Sequence, residues 1–166
     1  EMEHQFKDAG IAAVIILENF AQHLESILPH IPARHIIITA MGDMLNPLKG
    51  ALVNLVVRKV KKLVPPFNIP KAISFNSVLS KGRTLTLDKP HVDAEDLAVL
   101  QYTGGTTGVA KGAQLSHRNL VAHNMMVTHW FGPYLREGLK EDIMITAIPM
   151  YHSFGLSVNG ILMYSA

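Results

Sequence analysis

Cysteine is absent from the 166 residues, and so are long apolar runs. Without thiols the chain forms no disulfide, holds no Cys-ligated zinc or iron–sulfur cluster and has no thiol nucleophile. The longest apolar stretches stay well below the roughly 18–20 residues that a membrane-spanning helix needs. The polar, acidic stretch at residues 1–10 is not the pattern of a secretory signal peptide. What remains is a globular composition, 48% hydrophobic and 17% charged, which excludes wholesale disorder.

The net charge is only +2, but the basic residues are unevenly placed. Residues 43–70 carry five basic side chains against one acid, inside a predicted basic amphipathic insertion at about 42–70. On a helix, its apolar and basic residues separate onto two sides. The pattern favours a surface helix that packs on its own domain. A contact of residues 45–64 with an anionic membrane surface is the alternative. No base-reading pattern is present, so no nucleic-acid partner is predicted.

The apolar side of that helix would hold Leu52, Val53, Val56, Val57, Val60 and Leu63, and the polar side Asn54, Arg58, Lys61 and Lys62.

The first forty residues show the strand, helix and strand signals of a βαβ unit. Ile11–Leu17 and His35–Thr39 are short, continuous, β-branched runs, typical of parallel strands buried on both faces. Asn19 is placed to cap the helix between them, which would end near Leu28. We therefore predict an α/β fold built from βαβ units with a mainly parallel sheet.

Further elements follow from capping and turn signals. A helix is predicted at Ile73–Lys81, a strand at Leu97–Thr103 and another strand at Ile143–Ile148. Ser116 is a good N-cap for a helix from His117 to about Phe131, and a buried helix is predicted from Gly155 to Tyr164. Met125, Met126 and Trp130 are expected in the core, and His117, His123 and His129 fall on different helix faces, a poor metal-ligand set.

The stretch with the strongest chemical signal runs from Tyr102 to Gly112. Four glycines, from Gly104 to Gly112, are interleaved with threonines and with Lys111. Glycines let a ligand approach the backbone, successive amides can form a concavity for anions, and a lysine adds positive charge. The stretch therefore predicts a polyphosphate cradle rather than a flexible linker.

The order of residues does not match a Walker A loop, because Ala110 precedes Lys111 and Gly112 follows it. A few residues also intervene before the Ser116 cap, which leaves room for a short return strand. A strand–loop–strand hairpin is therefore predicted around the loop.

The loop resembles the phosphate-binding signature of the AMP-forming adenylating enzymes. Thr103–Gly112 is most similar to bacterial long-chain fatty acid–CoA ligases, including Ala110 where the wider family has proline. A second similarity is the segment 148–155, IPMYHSFG, which resembles the next core motif of the family. Residues 1–19 show a weaker likeness. The resemblance thus spans the whole chain, which is expected to be an internal fragment of one large N-terminal adenylation domain.

The resemblance implies an ATP-dependent reaction with Mg²⁺, in which a long-chain fatty acid becomes an acyl-adenylate and then a coenzyme A thioester. It implies catalytic roles for Lys111, near the terminal phosphate, and for His152, near the acyl carboxylate. The implied nucleotide-binding residues are Tyr102, Thr103, Gly104, Gly105, Thr106, Thr107, Gly108, Lys111 and Gly112. The family's adenine, ribose and magnesium residues and its C-terminal domain are expected beyond residue 166. No metal ligand is assigned within the chain.

Two other functions stay open at this point. One is an adenylate-forming ligase for a different carboxylic acid, and the other is a nucleotide-binding module without catalysis. The resemblance also implies a cytoplasmic protein, peripheral on the inner face of the membrane if the basic helix binds lipid.

Overall fold

The computed structural model describes residues 1–103, 108–134, 145, 147–149 and 151–157. The chain divides into two compact units, Glu1–Lys89 and Pro90–Ala166. Among the described residues, no helix has the length and apolar character needed to cross a membrane.

A parallel sheet forms the centre of the first unit. Its strands are β1 (Ala13–Leu17), β2 (His35–Thr39) and β3 (Ile73–Ser74), in that order, with both pairs parallel. The sequence prediction for β2 is confirmed at both ends, and the parallel α/β arrangement is confirmed as well. β3 was not predicted, because two residues are too few to show a strand periodicity; the helix predicted at Ile73–Lys81 begins instead at Phe75.

Helices cover one face of this sheet. α1 (Met2–Asp8) precedes β1, and α2 (Ala21–Ile27) lies between β1 and β2. The core of the unit consists of Val14, Ala21, Leu24, Ile31, Ile36 and Ile69. Ile15 points away from this core and is exposed. The prediction that β1 is buried on both faces is therefore wrong for the described residues.

Asn19 does not cap α2. It lies in a 3-10 turn at Glu18–Phe20, and the N-cap position of α2 belongs to Phe20, which makes no side-chain capping bond. The Asn19 side chain instead donates from Nδ2 to the carbonyl oxygen of Leu63, 3.0 Å away. Asparagine is common at helix N-caps, but here its side chain bonds a carbonyl far along the chain instead.

The basic segment forms α3 (Pro47–Leu55), which continues into a π-turn at Val56–Val60. Pro47 occupies the first turn, where its missing N–H costs nothing, and the Asn46 side chain accepts from the Leu48 N–H. The predicted packing face is only partly correct: Val57 is buried, but Leu52, Val60 and Leu63 are exposed. α4 (Phe75–Gly82) follows β3, with Ser74 as its N-cap.

The second unit contains an antiparallel hairpin and one long helix. β4 (Leu97–Thr103) pairs with β5 (Lys111–Ser116), and α5 (His117–Phe131) follows at once. Ser116 and Asn119 form a reciprocal capping box at the start of α5. The predictions for β4, for the hairpin and for α5 are confirmed. Met125, Met126 and Trp130, predicted in the core, are exposed on α5.

Two predicted elements lie partly outside the described residues. Of the strand predicted at 143–148, residues 145, 147 and 148 are described, and none of these three lies in a strand. Of the helix predicted from Gly155 to Tyr164, only 155–157 are described; they are helical, as are 153 and 154 just before them.

Candidate functional site

The hairpin of the second unit places the two ends of the glycine-rich loop side by side. Thr103, the last residue of β4, pairs with Lys111, the first residue of β5. Both residues are exposed. A Cβ added at Gly108 would meet no atom within 4 Å, so the main chain there is open to a ligand. Lys111 therefore lies at the loop end of the hairpin, next to the residues predicted to bind phosphates.

Tyr102 and Gly112 form the next pair of the hairpin. A Cβ at Gly112 would lie 3.0 Å from Cζ of the Tyr102 ring, so the ring packs directly over the glycine. A larger residue at position 112 would press against this ring, so glycine favours the contact for steric reasons. Tyr102 therefore has a packing role, because its ring covers the strand pair that carries Thr103 and Lys111.

The residues between these two strands are only partly described. Gly104, Gly105, Thr106 and Thr107 lie outside the described residues, so their predicted contacts with phosphate stay predictions. Of the predicted nucleotide-binding set, the structure positions Tyr102, Thr103, Gly108, Lys111 and Gly112.

His152 starts a turn that leads into residues 153–157. Its backbone N–H donates to the carbonyl of Pro149 at 2.9 Å, and its own carbonyl accepts from the Leu156 N–H at 2.8 Å. The Phe154 N–H donates to Nδ1 of the imidazole at 3.2 Å. Because Nδ1 acts as an acceptor, the neutral ring carries its hydrogen on Nε2. The exposed His152 can thus offer an N–H from Nε2 to an oxygen of a substrate.

One hydrogen bond joins the segment of His152 to the hairpin. Gln101, in β4, donates from Nε2 to the carbonyl oxygen of Tyr151 at 3.1 Å. The strand that leads into the glycine-rich loop is therefore connected to the residue that precedes His152. Sequence reasoning did not find Gln101, because a side chain that bonds a carbonyl 50 residues later leaves no local pattern.

A cavity of about 210 Å³ lies beside this connection. Its wall is formed by β4, β5, α5 and the helical residues after His152. The lining residues are Gln101, Leu115, Asn119, Leu120, His123, Ser153, Leu156 and Ser157. The surface of the cavity is largely apolar. Nε2 of His123 is buried and makes no hydrogen bond within the described part of the chain.

The described residues contain no group of three His, Asp or Glu side chains that could hold a metal ion. The hairpin offers Lys111 and open backbone to an anion.

Comparison with known proteins places the chain in a family. The sequence model of the AMP-binding enzymes matches residues 1–166. The chain is 50% identical to the long-chain-fatty-acid–CoA ligase of Salmonella typhimurium over 162 residues, 98% of this chain and 28% of that protein. It is 44% identical to the ligase of the same name from Haemophilus influenzae over 98% of this chain and 29% of that protein. The chain thus spans less than a third of the length of these relatives.

Solved structures show the same fold. ATP-bound MatB from Rhodopseudomonas palustris aligns with a TM-score of 0.60 at 24% identity, over 98% of this chain and 25% of that one. The didomain of a carboxylic acid reductase from Segniliparus rugosus, in complex with AMP, aligns with a TM-score of 0.61 at 18% identity, over 97% of this chain and 22% of that one. At these sequence identities, the structural alignment is evidence for a shared fold only.

Proposed function

The chain belongs to the AMP-binding enzyme family, and on this premise we propose that the protein activates long-chain fatty acids with ATP and transfers them to coenzyme A. The observation that carries the proposal is the identity of 44–50% to long-chain-fatty-acid–CoA ligases across nearly the whole chain. The chain would supply the phosphate-binding loop and the residues next to the reacting carboxylate.

The proposed reaction has two steps. A carboxylate oxygen of the fatty acid attacks the α-phosphorus of ATP, the bond from this phosphorus to the bridging oxygen breaks, and pyrophosphate leaves. The thiolate of coenzyme A then attacks the acyl carbon, and AMP leaves with the electron pair of the broken C–O bond. Mg²⁺ would enter with ATP and offset the charge of its phosphates.

The first step brings two anions together, and this is the barrier that the hairpin would lower. Lys111 is exposed at the mouth of the hairpin, opposite Thr103. A lysine fixed at the end of a strand can hold the β- and γ-phosphates and stabilise the negative charge that develops on pyrophosphate. The Tyr102–Gly112 contact supports this role, because the ring packs over the strand pair directly beside Thr103 and Lys111.

His152 would orient the carboxylate. Its Nδ1 is occupied by the Phe154 N–H, so Nε2 is the nitrogen that can donate to a carboxylate oxygen. A hydrogen bond of this kind positions the nucleophile without a proton transfer, since the fatty acid is already ionised at neutral pH. The apolar cavity beside the segment would take the first carbons of the acyl chain, with Leu156 in its wall.

The decisive experiment is ATP–pyrophosphate exchange by the full-length protein with a panel of acids. We expect exchange that depends on long-chain saturated and unsaturated acids and falls for acetate, benzoate and malonate. Exchange confined to an aryl or short-chain acid would support a different acid substrate. No exchange with any acid, despite tight ATP binding, would indicate a nucleotide-binding module without catalysis.

We also propose a cytoplasmic protein with a peripheral membrane contact through residues 45–64. The support for this is the excess of basic residues in that segment, together with a water-insoluble substrate.

A further inference from the structure

The register of the hairpin determines which of its side chains share a face. Directly opposed residues of an antiparallel pair project to the same face, and successive residues of one strand project to opposite faces. Gln101 is opposite Ala113, and Thr103 is opposite Lys111. Because Gln101 and Thr103 are two residues apart in β4, these four side chains belong to one face, which we call the lysine face.

Tyr102 lies on the other face of the hairpin. It pairs with Gly112, between the two pairs of the lysine face, and its ring packs over that glycine. The opposite face is therefore covered by an aromatic ring at this point. The side chains of Thr103 and Lys111 leave the hairpin on the lysine face.

The segment of His152 lies on the lysine face as well. Gln101 Nε2 donates to the carbonyl oxygen of Tyr151 at 3.1 Å. A carbonyl only accepts, so the amide nitrogen of Gln101 is the atom that must be directed at it. Gln101 also lines the cavity of about 210 Å³ together with Ser153 and Leu156. The residues around His152 and the two residues that flank the glycine-rich loop thus share one face of the hairpin.

The turn of His152 has its own internal hydrogen bonds. The His152 N–H donates to Pro149, the Leu156 N–H donates to the His152 carbonyl, and the Phe154 N–H donates to Nδ1 of the imidazole. These three bonds set the shape of the turn and the orientation of the ring, but none of them reaches β4 or β5. The cavity lies beside the turn, so side-chain packing is incomplete there. The bond from Gln101 therefore attaches the turn to the hairpin where packing does not.

We propose that Gln101 is a positioning residue for the adenylation step, which holds His152 in place relative to Thr103 and Lys111. The inference rests on the proposed function, in which His152 orients the carboxylate and Lys111 holds the phosphates. The attacking oxygen must lie about 3–3.5 Å from phosphorus and in line with the breaking bond, and a displacement of about 1 Å can cost about a hundredfold in rate. Gln101 acts through Tyr151 and His152 and not on the reacting atoms.

The first test is Gln101→Met in the full-length protein, which removes the donor and keeps the length of the side chain. ATP–pyrophosphate exchange with a long-chain acid should fall about tenfold to a hundredfold, because the carboxylate is no longer aligned with the α-phosphorus. The KM for ATP should stay within about twofold of wild type, since Thr103 and Lys111 are retained. Gln101→Glu has the same size but only accepts at neutral pH, and it should lose exchange as well. It keeps the test decisive if the methionine variant does not fold.

The matched control is Gln114→Met, in the same hairpin. Gln114 is opposite Leu100, so it projects to the face that does not carry Gln101, and it is exposed. The control should exchange like wild type. An equal loss in Gln101→Met and Gln114→Met would mean that the hairpin tolerates neither change, and would overturn the proposal.

The second chemical step separates positioning from a general structural defect. When a synthetic long-chain acyl-adenylate is supplied with coenzyme A, no carboxylate has to attack phosphorus. Gln101→Met should then form the thioester within about twofold of the wild-type rate. A parallel fall of exchange and of thioester formation would show a structural role only, and would overturn the proposal.

A double variant tests whether Gln101 acts through His152. Gln101→Met/His152→Ala should exchange within about twofold of His152→Ala alone, because the group that Gln101 positions is already absent. Losses that multiply in the double variant would contradict the proposal. Unchanged exchange in Gln101→Met, with an active wild type, would overturn this inference and leave the proposed function standing. Absence of exchange by wild type with every long-chain acid would overturn the proposed function, and this inference with it.

Discussion

At the scale of single residues, the structure separates groups that the sequence treats alike. Arg58 and Lys59 are neighbours in a basic run. Arg58 forms an ion pair with the buried carboxylate of Glu18, whereas the Lys59 side chain is exposed to solvent. Composition and helical periodicity cannot distinguish them, because Glu18 lies 40 residues away. The burial of Glu18 could not be predicted from the sequence, since an acidic residue after a strand is most often solvated.

Arg58→Gln is therefore expected to destabilise the protein. Removing the guanidinium leaves a buried carboxylate without its partner, which costs ~3–5 kcal/mol for a fully buried pair. Because Arg58 is half exposed, we expect about 2 kcal/mol in the free energy of unfolding, measured by urea denaturation of the full-length protein. Lys59→Gln is the control, with an expected change within about 0.5 kcal/mol. A change for Arg58→Gln no larger than that of the control would mean that Glu18 is not held by this pair.

Gly112→Ala tests the packing of Tyr102 over the hairpin. A methyl group there would lie 3.0 Å from the ring carbon Cζ, so the ring or the strand must shift. We expect a fall in kcat for ATP–pyrophosphate exchange of about tenfold, because displacement of Lys111 weakens contacts made in the transition state. The double variant Gly112→Ala/Tyr102→Leu removes the clash and should recover part of the rate. No recovery in the double variant would argue against the clash as the cause.

At the scale of elements, local sequence signals predicted those helices and strands well whose stabilising partners are near in sequence. β2, β4 and α5 were predicted with their observed bounds, because β-branched runs and the Ser116 cap act within a few residues. Predictions that needed a tertiary partner were less successful. The cap at Asn19 was wrong because Leu63 supplies the acceptor. The inward face of α3 was only partly correct, because Asn54 bonds Asp43 and Arg58 bonds Glu18.

The capping box at the start of α5 gives a prediction for this element. Ser116 Oγ accepts from the Asn119 N–H at 3.3 Å, and Asn119 Oδ1 accepts from the Ser116 N–H at 2.9 Å. Ser116→Ala should lower the free energy of unfolding by about 1 kcal/mol, since a backbone donor loses its partner. Amide hydrogen exchange should accelerate in the first turn of α5 and stay unchanged in α2. Uniform acceleration along both helices would indicate global destabilisation instead.

At the scale of the whole molecule, the fold and the family were accessible from the sequence, and the full geometry of the site was not. The order of glycine, threonine and lysine between Tyr102 and Gly112 predicted a hairpin with a phosphate loop, and the hairpin is confirmed. The link from Gln101 to Tyr151 and the cavity beside it depend on how distant segments pack, which no local spacing encodes.

At this scale we propose that the hairpin holds the phosphates of ATP while a fatty acid attacks. The measurement that tests the claim most directly is fatty-acid-dependent ATP–pyrophosphate exchange by the full-length Lys111→Ala variant, with Lys89→Ala as a control at another exposed lysine. We predict a fall in rate of about 10²–10³ for Lys111→Ala, in line with the loss of one group that stabilises developing negative charge, and an unchanged rate for Lys89→Ala. Equal rates for the two variants would contradict the account and remove Lys111 from the site.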